Sequence, residues 1–168
     1  MAIEIERKFL LAGDGWRAQA HHALRIAQAY LNDGAALAAG REQCSVRVRI
    51  CGEAANLNIK SRELGASRQE FEYPVPLADA EALMALACDG RIDKVRHLVQ
   101  VGAHLWEIDE FRGDNAGLVV AEIELSHADE PFERPSWLGR EVTDERRYYN
   151  LALAARPFAQ WTAEEKAC

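Results

Sequence analysis

One periodicity governs this chain: apolar and polar residues alternate, and on the polar side the charges are sorted by sign. Period two is the mark of a β-strand with one buried face, because successive side chains leave the strand on opposite sides. Ile3, Ile5 and Phe9 fall on one face, with Glu4, Glu6 and Lys8 on the other. Val46, Val48 and Ile50 oppose Arg47 and Arg49, and Leu57 and Ile59 oppose Asn58 and Lys60. Phe71 and Tyr73 oppose Arg68, Glu70 and Glu72, while Val95 and Val99 oppose Lys94 and Arg96. Trp106 and Ile108 oppose Glu107 and Asp109, and Ala121, Ile123 and Leu125 oppose Glu122 and Glu124. Residues 25–31, with Gln28 and Tyr30 on one side, give an eighth candidate strand.

Turn signals at Asn32-Asp33-Gly34, Cys51-Gly52, Gly65, Gly102 and Gly113-Asp114-Asn115 separate these segments. Helical patterning is confined to 16–23, 79–88 and 144–156, and 34–40 reads as a hairpin loop without chemistry. The expected architecture is mainly β (α+β), one domain over residues 1–168. Eight antiparallel strands can close into a barrel and remove their edges, with a few short helices outside.

Composition narrows the function. The 168 residues carry a net charge of -7, which disfavours a nucleic-acid module held by phosphate neutralisation. No apolar run approaches the roughly 18 residues of a membrane span. The N-terminus meets charge at Glu4 and does not read as a secretory leader, so a cytoplasmic location is expected. Cys44, Cys51, Cys88 and Cys168 show no metal-binding spacing and read as incidental thiols in a reducing compartment. Of the 20 basic residues only Lys8, Lys60, Lys94 and Lys166 are lysines, and the first three lie in strand-like segments.

A solvated sheet face would mix its charges. Here acids come in pairs, Glu4 with Glu6, Glu70 with Glu72, Glu107 with Asp109, Glu122 with Glu124, and bases pair as Arg47 with Arg49 and Lys94 with Arg96. Residues two apart on one strand face lie about 7 Å apart. Such acid pairs repel unless a hard cation joins them, and oxygen-only donors favour Mg²⁺, Mn²⁺ or Ca²⁺ over Zn²⁺. Basic pairs at that spacing suit successive phosphates. The pattern points to an interior that holds a polyanion and a divalent metal. Other candidates read as structural: His21-His22 as a solvated pair, His97 as pointing outward with Val95, Trp137 as packing a loop, and Tyr148 and Tyr149 as helix packing.

The segment Glu4-Ile5-Glu6-Arg7-Lys8-Phe9-Leu10 resembles the E-x-E-x-K signature of the CYTH, or triphosphate tunnel metalloenzyme, superfamily. The resemblance continues through Gln28-Ala29-Tyr30-Leu31, Val46-Arg47-Val48-Arg49, Asn58-Ile59-Lys60-Ser61 and Arg68-Gln69-Glu70-Phe71-Glu72. It resumes at Lys94-Val95-Arg96, Glu107-Ile108-Asp109, Glu122-Ile123-Glu124 and Gly139-Arg140-Glu141-Val142-Thr143. The chain looks most like the short bacterial members that hydrolyse inorganic tripolyphosphate. One departure is Ala29, where the family often has Gly.

The resemblance implies a charged eight-stranded tunnel and a set of roles. Asp109, Glu122 and Glu124 would hold a divalent metal, Mg²⁺ or Mn²⁺, and Glu4 and Glu6 a second metal or the attacking water. Lys8, Arg47, Arg49, Lys60 and Arg96 would clamp the triphosphate, and Lys94 with Tyr30 would activate water. Arg68, Glu70 and Glu72 are expected to frame the wall by salt bridges. Class IV adenylyl cyclase and thiamine triphosphatase are enzymatic alternatives, and a silent polyphosphate-binding module is the non-enzymatic one. The sequence leaves a monomer or a homodimer open.

Overall fold

A computed structural model describes residues 2–62 and 67–167, with the backbone alone for residues 2–4, 67 and 68. Among the described residues nine strands form: β1 (Ala2–Leu11), β2 (His22–Tyr30), β3 (Cys44–Cys51), β4 (Ala54–Ser61), β5 (Ser67–Pro74), β6 (Ile92–Val101), β7 (His104–Phe111), β8 (Val119–Glu124) and β9 (Leu138–Glu141). Four short helices accompany them: α1 (Gly34–Ala38), α2 (Leu77–Met84), α3 (Asn150–Ala155) and α4 (Ala163–Ala167). The strands make one sheet in the order β5-β4-β3-β2-β6-β7-β8-β1-β9, and each pairing is antiparallel.

Two hairpins fix much of the register. Cys51 pairs with Ala54 and Val101 with His104, so each loop has two residues. Gly52 and Gly102 open those loops at φ values of 61° and 56°, a conformation that favours glycine and matches the right-handed strand twist. β1 divides its partners along its length. Residues 2–5 pair with β5, Glu6–Leu10 with β8, and Phe9 and Leu11 with β9. The approach of β9 needs Gly139, where an added Cβ would sit 2.8 Å from the Leu10 carbonyl oxygen.

The apolar faces of the strands look outward and are covered by connecting segments. Phe9, Val99, Trp106, Ile108 and Ile123 bury themselves against Trp16 and Trp137. Trp106 meets Phe132 and Trp137 edge-on at 5.7 and 5.6 Å between centroids. Truncation of a buried tryptophan in such a cluster costs about 3–5 kcal/mol. α2 lays Ala80 on Ala29, Val48 and Ala55, and the methyl of Ala29 is fully buried there. His97 does face outward, with Trp16 at 5.0 Å and Glu110 at 3.2 Å.

Local differences from the sequence reading have physical causes. β9 adds a strand beyond the eight expected, because its four residues are too few to display alternation. The helix expected over 16–23 is a 3₁₀ turn, Gly15–Ala18, separated by residues 19–21 from β2, which begins at His22. Residues 34–40 contain α1 rather than a bare loop: Asp33 caps it, accepting from the Ala35 backbone N–H at 2.8 Å. The last helical region breaks into a 3₁₀ turn and the six residues of α3.

Candidate active site

Along the other face, charge gives way to apolar residues from one end of these antiparallel strands to the other. β1 presents Glu6, Lys8 and Leu10; β8 presents Glu124, Glu122 and Val120; β7 presents Glu107, Asp109 and Phe111; β6 presents Arg96, Lys94 and Ile92. Leu10, Val120, Phe111 and Ile92 gather with Tyr30, Val142, Tyr148 and Leu153 into one apolar cluster. The charged members surround a cavity of about 640 Å³ lined by nine basic and six acidic side chains. In a chain of net charge -7, that concentration of cations marks a local anion site.

The β1–β8–β7–β6 wall is an interlocked set of ion pairs. Lys8 Nζ bonds Glu122 Oε1 and lies 3.5 Å from Glu6. Arg96 donates to Glu122 at 2.8 Å, to both oxygens of Asp109 at 2.7 Å, and to Glu107. Lys94 Nζ bonds Asp109 Oδ2. Burial alone would raise the carboxyls of Asp109 and Glu122, but Arg96 with Lys94, and for Glu122 also Lys8, outweigh it and hold both below the usual carboxylate range. Lys94 goes the other way. Burial lowers it, Asp109 restores part of the loss, Arg96 lowers it again, and it ends at about 8.

The β2–β3–β4–β5 wall has a different character. Glu70 lies 3.8 Å from Arg47 and 3.4 Å from Lys60, and the Asn58 amide donates to Glu70 at 3.1 Å and Glu72 at 2.5 Å. Glu70 and Glu72 therefore both line the cavity; Glu70 braces Arg47 and Lys60, and Glu72 is held by the amides of Asn56 and Asn58. Arg49 makes no ion pair or guanidinium hydrogen bond among the described residues, and the Nε atoms of Arg47 and Arg49 are buried without partners. Burial, Arg96 and Arg47 all act to lower the Arg49 guanidinium from its ordinary range.

Ten of the residues singled out in the sequence line this one cavity: Glu6, Lys8, Tyr30, Arg47, Arg49, Lys60, Lys94, Arg96, Glu122 and Glu124. The side chain of Glu4 lies outside the described residues. Asp109, expected as a metal ligand, is 0% exposed and has both oxygens occupied by Lys94 and Arg96, while Glu107 is the β7 acid that lines the cavity. Among the cavity residues given no individual role in the sequence are Gln28 and Tyr149, with Arg62, Arg146 and Arg156, while Glu107 had been read only as the acid paired with Asp109. Tyr149 places its ring 5.1 Å from Lys8 Nζ and donates its hydroxyl to the Thr143 carbonyl at 2.5 Å. A tyrosine within a segment expected to be helical gives no such signal in sequence, whereas Gln28 shared a face with Tyr30.

The fit for a divalent cation can be judged from the acids present. Glu6 and Glu124 are direct cross-strand partners, as are Glu122 and Glu107. Like charges placed opposite one another are unfavourable without a counterion, and the donors are all oxygen, which suits a hard cation. Among the described residues, no three acidic, histidine or cysteine side chains are gathered as a ready metal site. Lys8 and Arg96 occupy the Glu122 oxygens, so a cation there competes with them.

A cavity with unsaturated cationic donors on one wall and carboxylates on the other defines a protein that takes a polyanion. The CYTH domain profile matches residues 2–153, and the chain belongs to the CYTH domain family. It is similar to the inorganic triphosphatase of Acetivibrio thermocellus, 38% identical over 159 residues, which covers 94% of this chain and 97% of the relative. It is also similar to the inorganic triphosphatase of Nitrosomonas europaea, 35% identical over 156 residues, 90% of this chain and 96% of the relative. A crystal structure of an inorganic triphosphatase superposes with a TM-score of 0.64 at 32% identity, covering 92% of this chain and 95% of the other.

Proposed function

We propose that this protein hydrolyses inorganic tripolyphosphate to pyrophosphate and orthophosphate, with Mg²⁺ or Mn²⁺ as cofactor. The observation that carries this reading is the two-sided cavity, in which Arg49 and the Nε atoms of Arg47 and Arg49 lack acceptors. Its chemistry agrees with the names of the two relatives, which cover nearly the whole chain. The β1–β5 pairing, which links strands far apart in the sheet order, supports reading the sheet as a closed ring of eight with β9 as a flap on β1.

Arg47, Arg49, Lys60, Lys8 and Arg96 bind the phosphate chain and spread its charge, which is most of what phosphoryl transfer asks of a protein. Glu6, Glu122 and Glu124, joined on the sequence pattern by Glu4, would hold the cation, which would supply charge neutralisation at the phosphate oxygens. Asp109 orients Lys94 and Arg96 and acts as a positioning residue. A water oxygen forms the new P–O bond, and its proton passes to the neutral amine of Lys94, a form that its lowered value of about 8 makes available near neutral pH. The bridging P–O bond breaks and its electron pair leaves with pyrophosphate.

Colorimetric phosphate release tests this reading with tripolyphosphate, ATP, thiamine triphosphate and pyrophosphate, each with Mg²⁺, Mn²⁺ or excess EDTA, and with a parallel test for cyclic AMP. The proposal expects tripolyphosphate to be the preferred substrate and EDTA to abolish turnover. Cyclic AMP from ATP, or full activity in EDTA, would overturn it.

A further inference from the structure

We propose that Gln28 is a substrate-contacting residue whose side-chain amide donates a hydrogen bond to a phosphate oxygen held by Arg49, an inference that rests on the tripolyphosphate reading above. Gln28 is 1% exposed, yet it lines the cavity, and its Nε2 is buried with no hydrogen-bond partner. Buried polar groups are almost always satisfied, so an orphaned amide in a functional cavity asks for an acceptor from outside the protein.

The register places that amide beside a second unsatisfied donor. Gln28 is the direct cross-strand partner of Arg49, and side chains so placed are close neighbours. Arg49 itself has no acidic partner among the described residues, and its Nε is also orphaned. On the other flank Gln28 pairs with Ile92, which offers no side-chain acceptor. Two donors thus meet where the protein provides nothing to receive them. A phosphate has several acceptor oxygens in a tetrahedral array and can satisfy both at once. The amide adds direction without adding charge, which fixes how the phosphate turns on the guanidinium.

The test is Gln28→Leu, which keeps the bulk and deletes the donor, with Gln28→Glu as a second variant. Hydrogen bonds to charged groups are strong enough that the KM for tripolyphosphate should rise about tenfold or more in Gln28→Leu. The kcat should change far less, because the bond is made in ground and transition states alike. The ligand-free melting temperature of Gln28→Leu should stay level or rise, since an unsatisfied buried amide has been removed. Gln28→Glu should melt higher than wild type by pairing with Arg49, and should bind tripolyphosphate more weakly than Gln28→Leu. A KM for Gln28→Leu within twofold of wild type overturns the inference. So does a lowered melting temperature with unchanged KM, which would make Gln28 structural. If Gln28→Leu fails to fold, wild-type affinity in Gln28→Glu overturns it equally. Failure of the underlying reading looks different: wild type itself would neither hydrolyse tripolyphosphate nor gain thermal stability from it.

Discussion

Replacing Lys94 by Met should cost no stability at neutral pH, although it removes one partner of a buried ion pair. Lys94 is 2% exposed and titrates at about 8, against an ordinary value of 10.5. A group whose folded value is depressed in this way binds its proton less readily than in the unfolded chain. Below pH 8 both states are protonated and the native state carries the full penalty. Between about pH 8 and 10.5 the unfolded chain holds more protons, so native stability rises with pH. A displacement of this size corresponds to about 3 kcal/mol. Methionine matches the length of the lysine stem and needs no hydration. Asp109 keeps both of its oxygens bonded to Arg96 after the change. Urea unfolding of the two proteins at pH 7 and above pH 10 isolates the effect, because the remaining titrations are common to both. Lys94→Met should be at least as stable as wild type at pH 7, by up to about 3 kcal/mol, and that advantage should vanish at high pH. It should also be inactive toward tripolyphosphate. A constant stability difference across pH, or a loss of about 3–5 kcal/mol at pH 7 as when a needed partner is deleted, would refute the reasoning.

Glu122→Gln should lower stability by about 3–5 kcal/mol in urea unfolding, because Lys8 and Arg96 are left buried against a neutral amide; it should also abolish tripolyphosphate hydrolysis in the phosphate-release assay. Arg49→Ala should behave oppositely. Its melting temperature should hold near that of wild type, since no acidic partner is orphaned among the described residues, while calorimetric tripolyphosphate binding weakens by about 2–5 kcal/mol. Because Arg49 serves one position in a row of subsites, pyrophosphate affinity should fall less than tripolyphosphate affinity in the same titration.

Alternation made the sheet readable because the sheet's two faces differ so sharply here: Trp106 and Ile108 are buried against tryptophans, while Glu107 between them lines a charged cavity. The family signature then gave the order of the strands their meaning. Period two, however, says only which face a residue takes and nothing about depth along the strand. Asp109 and Glu107 are equivalent by that measure. The structure separates them, because Asp109 lies under Lys94 and Arg96 and Glu107 stands over the cavity. β9 and α1 were illegible for another reason. Leu138–Glu141 owes its pairing to the close approach Gly139 permits, and Gly34–Ala38 owes its helix to one cap on an alanine-rich run, both local effects weaker than the strand pattern around them. Gln28 carried no charge and so escaped a reading built on sorted charges, although it occupied the right face.

The account depends most on where tripolyphosphate is cut. A ³¹P NMR time course of the protein with tripolyphosphate and Mg²⁺ observes this directly. The account predicts that the tripolyphosphate signals decay while pyrophosphate and orthophosphate grow in equal amounts, with no change in a matched sample containing excess EDTA. An unchanged spectrum with Mg²⁺ present, or orthophosphate formed without pyrophosphate, would contradict it.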